Sequence, residues 1–435
     1  MATKSPRLDE HTPAESTEAL LGRMFAGDPD VVRDPYPLYR RLREEAPVHR
    51  FGSALAVVPR HADIKGIYAD PAGHPSSSSR AIPFDDKLAL LTEPQKAIYH
   101  EILAFERSYM SRLNGPEHRR VRNAAQRVFT PRRIAEVGDT IQKLTDDVLT
   151  DMAQEETSDM MALAYRLPLL ALMEIVGAPR EDADMLKSLS VGIVEPNMKT
   201  PLDAETLDHA DRSLRELRSY GAELIERQRA SSDRSQLAAA LLDAEEEDRL
   251  SQEELLANIV LLLFAGHETT TNLIGNGVLA MFEHPDQWGR LVADRSLAPR
   301  AVEEVLRYDA PVQFITRVMG PDGQIGGAPV AEGTRLVLGN AAGNRDPSVF
   351  PDADRFDITR RPNDHLSLGH GAHFCLGGPL ARMEGRVVFE TLARRFPDMA
   401  PGGDLDAIER RTNFNHRGPM TLPVRLGKDR GERAT

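Results

Sequence analysis

The sequence predicts a mainly α-helical protein with a minor antiparallel β part. Apolar residues recur at helical spacing through most of the stretch from 116 to 396. Short alternating runs are confined to 55–58, 312–340 and 412–426. No shift in composition marks a domain boundary, although 435 residues would accommodate two or three domains as a length-based prior. One domain over 18–427 is therefore expected, between a polar, disordered segment at 1–17 and a tail at 428–435.

In chain order, 38–45 reads as a short helix with Leu38, Tyr39 and Leu42 on one face. Residues 55–58 read as a strand stopped by Pro59. Residues 70–83 hold three prolines and four serines and read as a loop. The mixed helical stretch 86–109 is an insertion of the kind that forms lids or flexible segments. Helices are expected over 117–129, 134–152 and 167–176, the last stopping at Gly177 ahead of Pro179. Two amphipathic helices occupy 181–230, and another occupies 236–244. The longest helix is expected to run from a capping box at Ser251 and Glu254 to about Glu283, with threonine able to accept the local loss of a backbone bond and open a groove in it. Helices over 290–293 and 299–308, short strands within 312–340, an irregular 343–367, a helix over 379–396 and a last pair of strands within 412–426 complete the chain.

Composition narrows the function. The formal charge is −13, from 54 basic and 67 acidic residues, which argues against a general nucleic-acid or anionic-membrane binder. A single cysteine excludes an intramolecular disulfide framework and a Cys-rich zinc site, and fits a reducing, cytoplasmic setting. The longest apolar run, 259–265, is far short of the roughly 18 residues a spanning helix needs, so no membrane anchor is expected. The N-terminus lacks the apolar core of a signal peptide.

Two places carry chemistry. Residues 255–265 are apolar on every side and should be buried on every side. Gly266-His267-Glu268-Thr269-Thr270-Thr271-Asn272 then interrupts them, and polar groups midway along a buried helix need a reason. His267-Glu268 does not open a zincin site, because the fifth position is Thr271 and not histidine. The second place is Cys375. A lone cysteine is ordinarily a small buried hydrophobe. Here Gly369, Gly371, Gly377 and Gly378 surround it, and Pro379 marks a helix start just after it. Backbone N–H groups at a helix N-terminus favour a thiolate, the form that ligates metal.

The run 368–382, LGHGAHFCLGGPLAR, resembles the haem-binding loop of the cytochrome P450 family, whose cysteine thiolate is the proximal iron ligand. The family usually has Phe where this chain has Leu368. Ala265-Gly266-His267-Glu268-Thr269-Thr270 is similar to the family's oxygen-activation motif, and Glu304 with Arg307 to its Glu-x-x-Arg signature. The resemblance spans roughly 34–426, with the signatures in the family's order. It implies the P450 fold, a triangular helical domain with small antiparallel sheets, and haem b bound through Cys375 with Ala265, Gly266, Gly369 and Gly377 alongside. Gly266 would leave room for oxygen, and Glu268 and Thr269 would relay protons. His118, Arg122, Arg317 and His373 match the positions that hold the haem carboxylates. Glu304, Arg307 and Arg355 would form a structural triad. Phe84, Tyr99, Val312, Phe314, Ile315 and Phe414 would line a substrate pocket, although Phe84, Tyr99, Phe105 and Tyr109 are equally explained as packing.

The implied activity is monooxygenation of a small organic molecule by O2, hydroxylation by default, in secondary-metabolite biosynthesis. The resemblance to soluble bacterial members further implies a monomer that receives NAD(P)H electrons through a ferredoxin and its reductase. Arg119, Arg120 and Arg127 could dock the ferredoxin or simply be solvated. A peroxide-driven peroxygenase, a catalytically silent haem sensor and a haem-free helper protein are the alternatives. Glu268 with Thr269 speaks against the first, and Cys375 against the last.

Overall fold

The structure, a computed structural model, describes residues 15–52, 55–76, 88–126, 129, 131–198, 201–232, 239, 242, 243, 245, 246, 250–411 and 414–431. Phe84, Arg127 and most of the expected 236–244 helix lie outside the described residues.

The chain opens with helices α1 (Thr17–Phe25), α2 (Pro29–Arg33) and α3 (Tyr36–Glu45), strands β1 (His49–Phe51) and β2 (Leu55–Val58), and α4 (His61–Ala69). Ser16 and Asp28 side chains accept backbone N–H bonds and so start α1 and α2. These two helices, and α4, are not anticipated by the sequence reading. They are short, and their stability comes from burying Leu21, Met24, Val31 and Ile64 against later parts of the chain.

The helical body follows: α5 (Glu93–Glu106), α6 (Gly115–Gln126), α7 (Pro131–Met152), the two-residue strand β3 (Ser158–Asp159), α8 (Met160–Val176), α9 (Ala183–Met198), α10 (Ala204–Ala230), α11 (Gln252–Ala265), α12 (His267–Glu283), α13 (Pro285–Ala293) and α14 (Ala298–Tyr308). Helix α8 starts at an Asp159 cap, earlier than expected, carries Pro168 inside it, and ends at Gly177 in the left-handed conformation (φ 74°), as the sequence reading anticipates. The helix expected over 251–283 is two helices, α11 and α12, meeting at Gly266, within the polar patch where a local opening is expected. The longest described helix is α10, at 27 residues.

The remainder comprises β4 (Ile315–Val318), β5 (Gly323–Ile325), β6 (Ala328–Val330), β7 (Arg335–Leu338), α15 (Asn340–Gly343), α16 (Gly378–Arg395), β8 (Ala400–Pro401) and β9 (Pro423–Arg425). The main sheet runs β1-β2-β7-β4. It is not purely antiparallel, as expected: β2 and β7 pair in parallel, Ala56 opposite Leu336. Parallel neighbours need a long connection, and here the whole helical body supplies it.

The largest apolar cluster joins α7, α8, α11, α12, α14 and α16. Residues Thr270 to Met281 of α12 are buried without exception, so this helix is the axis on which the others pack. A separate cluster ties α1–α3 to Phe314 and Val337. The irregular 343–367 segment then leads to the cysteine loop and the N-terminus of α16, and α16 packs closely on α12, with Gly277 against Phe389 and Gly385 near Leu273.

Candidate active site

The cysteine loop is held in shape by backbone. Gly369 and Gly371 take φ of 71° and 69°, which residues with a Cβ resist. A Cβ on Gly371 would also lie 2.7 Å from the Tyr68 carbonyl oxygen. The Cys375 N–H donates to the Leu368 carbonyl at 2.8 Å, closing the loop. Gly377 has an ordinary φ, and a Cβ there would meet no protein atom within 4 Å. Its N–H and that of Gly378 both favour the ionised form of Cys375, and the Gly378 N–H donates to the Cys375 carbonyl at 3.3 Å.

Burial pushes the Cys375 thiol up, outweighing the Gly377 and Gly378 N–H groups and the Arg122 and Arg382 charges that pull it down. The helix start alone therefore does not produce the expected thiolate; a coordinated metal ion does so outright. Cys375 is nonetheless solvent-accessible. Ala265 behaves alike: it is exposed, whereas Leu263 and His267 on either side are buried.

The α11–α12 junction shows how a helix of this composition opens. Ser251 and Glu254 form the expected capping box, with bonds of 3.1 and 2.9 Å. At the junction, the Thr270 hydroxyl donates to the Gly266 carbonyl at 3.3 Å, and the Thr271 hydroxyl to the His267 and Ala164 carbonyls, both at 2.9 Å. Hydroxyls that bond back to carbonyls four residues earlier loosen and bend a helix. Thr269, between Glu268 and these two, is half-buried, and its hydroxyl is uncommitted among the described residues. The missing Gly266 side chain would sit 3.3 Å from a Leu172 methyl. The glycine therefore lets helix α8 pack closely at the junction. Glu268 is joined at 3.1 Å to Arg411, which also donates to the Tyr165 hydroxyl. Neither Arg411 nor Tyr165 was anticipated, since both are remote in sequence.

His118, Arg122, Arg317 and His373 come together from α6, β4 and the cysteine loop. The His118 and His373 rings lie 4.0 Å apart, and Arg122 donates to the Phe374 carbonyl at 2.6 Å. Burial depresses both histidines, to about 4 and about 3, and every charge acting on them is positive: arginines on His118, and His118, Arg317 and Arg122 on His373. His118 Nε2 is buried with no hydrogen-bond partner among the described residues. Two arginines and two histidines converging with no carboxylate among the groups acting on them suit a dianionic partner. The two carboxylates of haem would meet these bases, Cys375 would supply its iron ligand, and the open face of Gly377 would admit a flat ring. The residues present fit haem.

The buried ion pair on α14 also departs from expectation in one respect. Glu304 and Arg307 are joined as predicted, but the third cation is Arg360, at 3.2 Å, and not Arg355. Arg355 is exposed and contributes only its carbonyl, which accepts from Arg307 at 2.9 Å. Both arginines lie in the irregular segment, and side-chain direction there is not legible from spacing. Of the pocket candidates, Tyr99 is buried in the main core. Val312 and Ile315 are half-buried on the approach to Arg317. Phe314 and Phe414 instead pack with Phe25, at ring separations of 6.4 and 5.1 Å, and so belong to the N-terminal cluster.

The family model described as Cytochrome P450 matches residues 89–417. The Vitamin D(3) 25-hydroxylase of Pseudonocardia autotrophica is 36% identical over 401 residues, covering 91% of this chain and 94% of the relative. Cytochrome P450 monooxygenase PikC of Streptomyces venezuelae is 35% identical over 416 residues, covering 93% and 94%. Among solved structures, the Bacillus subtilis 168 bacillaene polyketide synthase cytochrome P450 PksS superposes with a TM-score of 0.80 at 31% identity, covering 92% of this chain and 99% of that one. With the fold, the cysteine loop and the four-base cradle all consistent with likeness on this scale, the chain belongs to the cytochrome P450 family and is a haem-thiolate monooxygenase.

Proposed function

We propose that this monooxygenase hydroxylates a bulky, mostly apolar secondary metabolite, with Cys375 as iron ligand and Thr269 and Glu268 as the proton route. The bound haem supplies oxygen activation and insertion of one oxygen atom into the substrate. The Cys375 sulfur binds the iron, with the Gly377 and Gly378 N–H groups and the Arg122 charge stabilising its negative form. His118, Arg122, Arg317 and His373 hold the haem carboxylates by charge-assisted bonds. The Thr269 hydroxyl holds a proton or water at the helix junction, and the Glu268 carboxylate, steadied by Arg411, replenishes it.

The substrate class rests on two observations. The relatives' names include a vitamin D(3) hydroxylase and a polyketide-synthase P450. Exposed large apolar side chains are few among the described residues, yet Leu90 falls in the 86–109 insertion and Met185 and Val191 on α9. Val312 and Ile315 would line the substrate pocket further in. Electrons come from NAD(P)H through a ferredoxin and its reductase, since no flavin or iron–sulfur motif is visible in the sequence. Arg119 is exposed and suited to docking, whereas Arg120 is forked to Glu254 at 2.9 and 2.5 Å. We place the enzyme in the cytoplasm as a monomer; none of the described helices is long and apolar enough to cross a membrane.

The observation that carries this reading is the accessible Cys375 beside an anion-seeking cradle of four bases. The test is the ferrous–carbonyl spectrum. A thiolate-type red-shifted Soret band, lost in Cys375→Ser, is expected; absence of haem uptake would overturn the reading. Low-to-high-spin shifts on screening macrolide-like and sterol-like compounds would identify the substrate class.

A further inference from the structure

We propose that Glu303 is a positioning residue that ties both ends of the cysteine loop together and neutralises Arg382, so that this ion pair sets the reduction potential of the bound haem. The proposal rests on the haem-thiolate reading above.

Glu303 sits on α14 beside Glu304 but faces different partners. Arg382, on the first turns of α16, donates to it in a fork, through Nε at 2.6 Å and Nη2 at 2.9 Å. His365 Nε2 lies 3.1 Å from the same carboxylate. His365 Nδ1 accepts the Ser367 N–H at 3.3 Å, so the ring proton is on Nε2 and is donated to Glu303. Ser367 is anchored in turn, its hydroxyl bonded to the Leu306 carbonyl and to the Asn344 amide. The next residue, Leu368, provides the carbonyl that accepts the Cys375 N–H at 2.8 Å. One carboxylate thus holds the strand that enters the loop and the helix that leaves it.

The charge of Arg382 reaches the ligand. Its Nη1 lies 3.6 Å from the position a Cβ on Gly378 would take, and the Gly378 N–H donates to the Cys375 carbonyl at 3.3 Å and favours the ionised form of its thiol. Its guanidinium sits over the Phe374 ring, 5.9 Å from the centroid. Arg382 and Cys375 each act on the other's ionisation. Burial raises the Glu303 carboxyl, but the Arg382 and His365 bonds outweigh it and hold the group down at about 2. Glu303 is therefore a permanent negative charge at working pH, and the pair is close to neutral.

The sign follows from electrostatics. Reduction adds negative charge to the iron–sulfur unit, so an uncompensated cation beside it raises the potential and an uncompensated anion lowers it. Removing Glu303 frees the Arg382 cation. Removing Arg382 leaves the Glu303 anion. The two substitutions should move the potential in opposite directions, which a purely structural clamp would not do. Both side chains are partly exposed, 28% and 36%, so added salt should shrink both shifts.

The test is spectroelectrochemical titration of the haem-loaded wild type, Glu303→Gln, Arg382→Gln and Arg382→Lys, each checked first for the thiolate-type ferrous–carbonyl band. Expected are a positive shift for Glu303→Gln, a negative shift for Arg382→Gln and a potential near wild type for Arg382→Lys. Unchanged potentials, or shifts of one sign in both glutamine variants, overturn the proposal. If Glu303→Gln loads no haem, Arg382→Gln decides alone: a fall supports the proposal, and no change or a rise overturns it. A wild type without the thiolate band would instead overturn the ligand assignment, and this inference with it.

Discussion

Glu304 and Arg307, one helical turn apart on α14, are joined by two 2.8 Å hydrogen bonds with neither side chain exposed. The remaining donors and acceptors are spent on the irregular segment: Arg307 donates to the Asn344, Ala353 and Arg355 carbonyls, and Glu304 accepts from the Asp357 N–H. Removing one member leaves an unpaired buried charge, at a cost of about 3–5 kcal/mol. Glu304→Ala or Arg307→Ala should therefore yield poorly folded protein with little haem. Arg360→Ala should be milder, and Arg355→Ala, exposed, should cost under about 0.5 kcal/mol. Denaturant unfolding and haem-to-protein ratios across the four variants check this ranking.

The four-base cradle predicts graded haem affinity. A charge-assisted bond contributes about 1.5–3 kcal/mol, so His118→Ala or Arg122→Ala should weaken haem binding roughly ten- to a hundred-fold. Haem transfer to an acceptor apoprotein measures it. In the haem-free protein both histidines have folded pKa values below the unfolded value of about 6.5. The folded state then binds fewer protons than the unfolded state in that window, so the haem-free protein should lose stability as pH falls from about 6.5 toward 4. Carboxylates arriving with haem would raise both histidines, so haem binding near pH 5–6 should take up protons, measurable with an indicator dye.

Thr269→Ala should uncouple electron flow from product. Peroxide released per NAD(P)H consumed should rise, while the thiolate spectrum stays intact. Glu268→Gln should slow turnover by about a hundred-fold, the lower end of what a positioned acid contributes. Unchanged coupling in Thr269→Ala would remove it from the proton route.

Glu384, on α16, is buried, and among the described residues its carboxyl meets the Thr270 hydroxyl of α12 while its Oε1 has no hydrogen-bond partner. Burial raises its carboxyl to about 8, against the opposing pull of Thr270. Its folded pKa thus exceeds the unfolded value, and the folded state holds the extra proton between about 4.5 and 8. Stability from this group is full below that window and is lost as pH rises through it. Glu384→Gln, which keeps shape without titrating, should be more stable than the wild type at pH 8 by on the order of a few kcal/mol and should lose that advantage near pH 4.5. Thermal melts at the two pH values decide it.

Much of this site is legible along the chain because its groups travel in short motifs. Cys375 comes with its glycines, Glu268 with Thr269, and Glu304 with Arg307, a spacing of three that places this last pair on one helix face. The capping box at Ser251, the Gly177 stop and the helix after Pro379 are local too. The misses are of another kind. Helices α1 and α2 depend on distant burial, β2 and β7 pair across the whole helical body, and Arg360 replaces Arg355 because an irregular segment has no period to read.

By itself the sequence determined the reaction class, since the motifs that carry it are set by residue identity and short-range spacing, and it named the residues proposed to hold the haem. Tertiary structure alone decided the use of Gly266 to admit Leu172, the Glu268–Arg411 pair and the Glu303 bonds to both ends of the cysteine loop. Each of these joins groups remote in sequence. Their partners are chosen by packing and by the need to satisfy buried charge, and neither is encoded in any one stretch of chain.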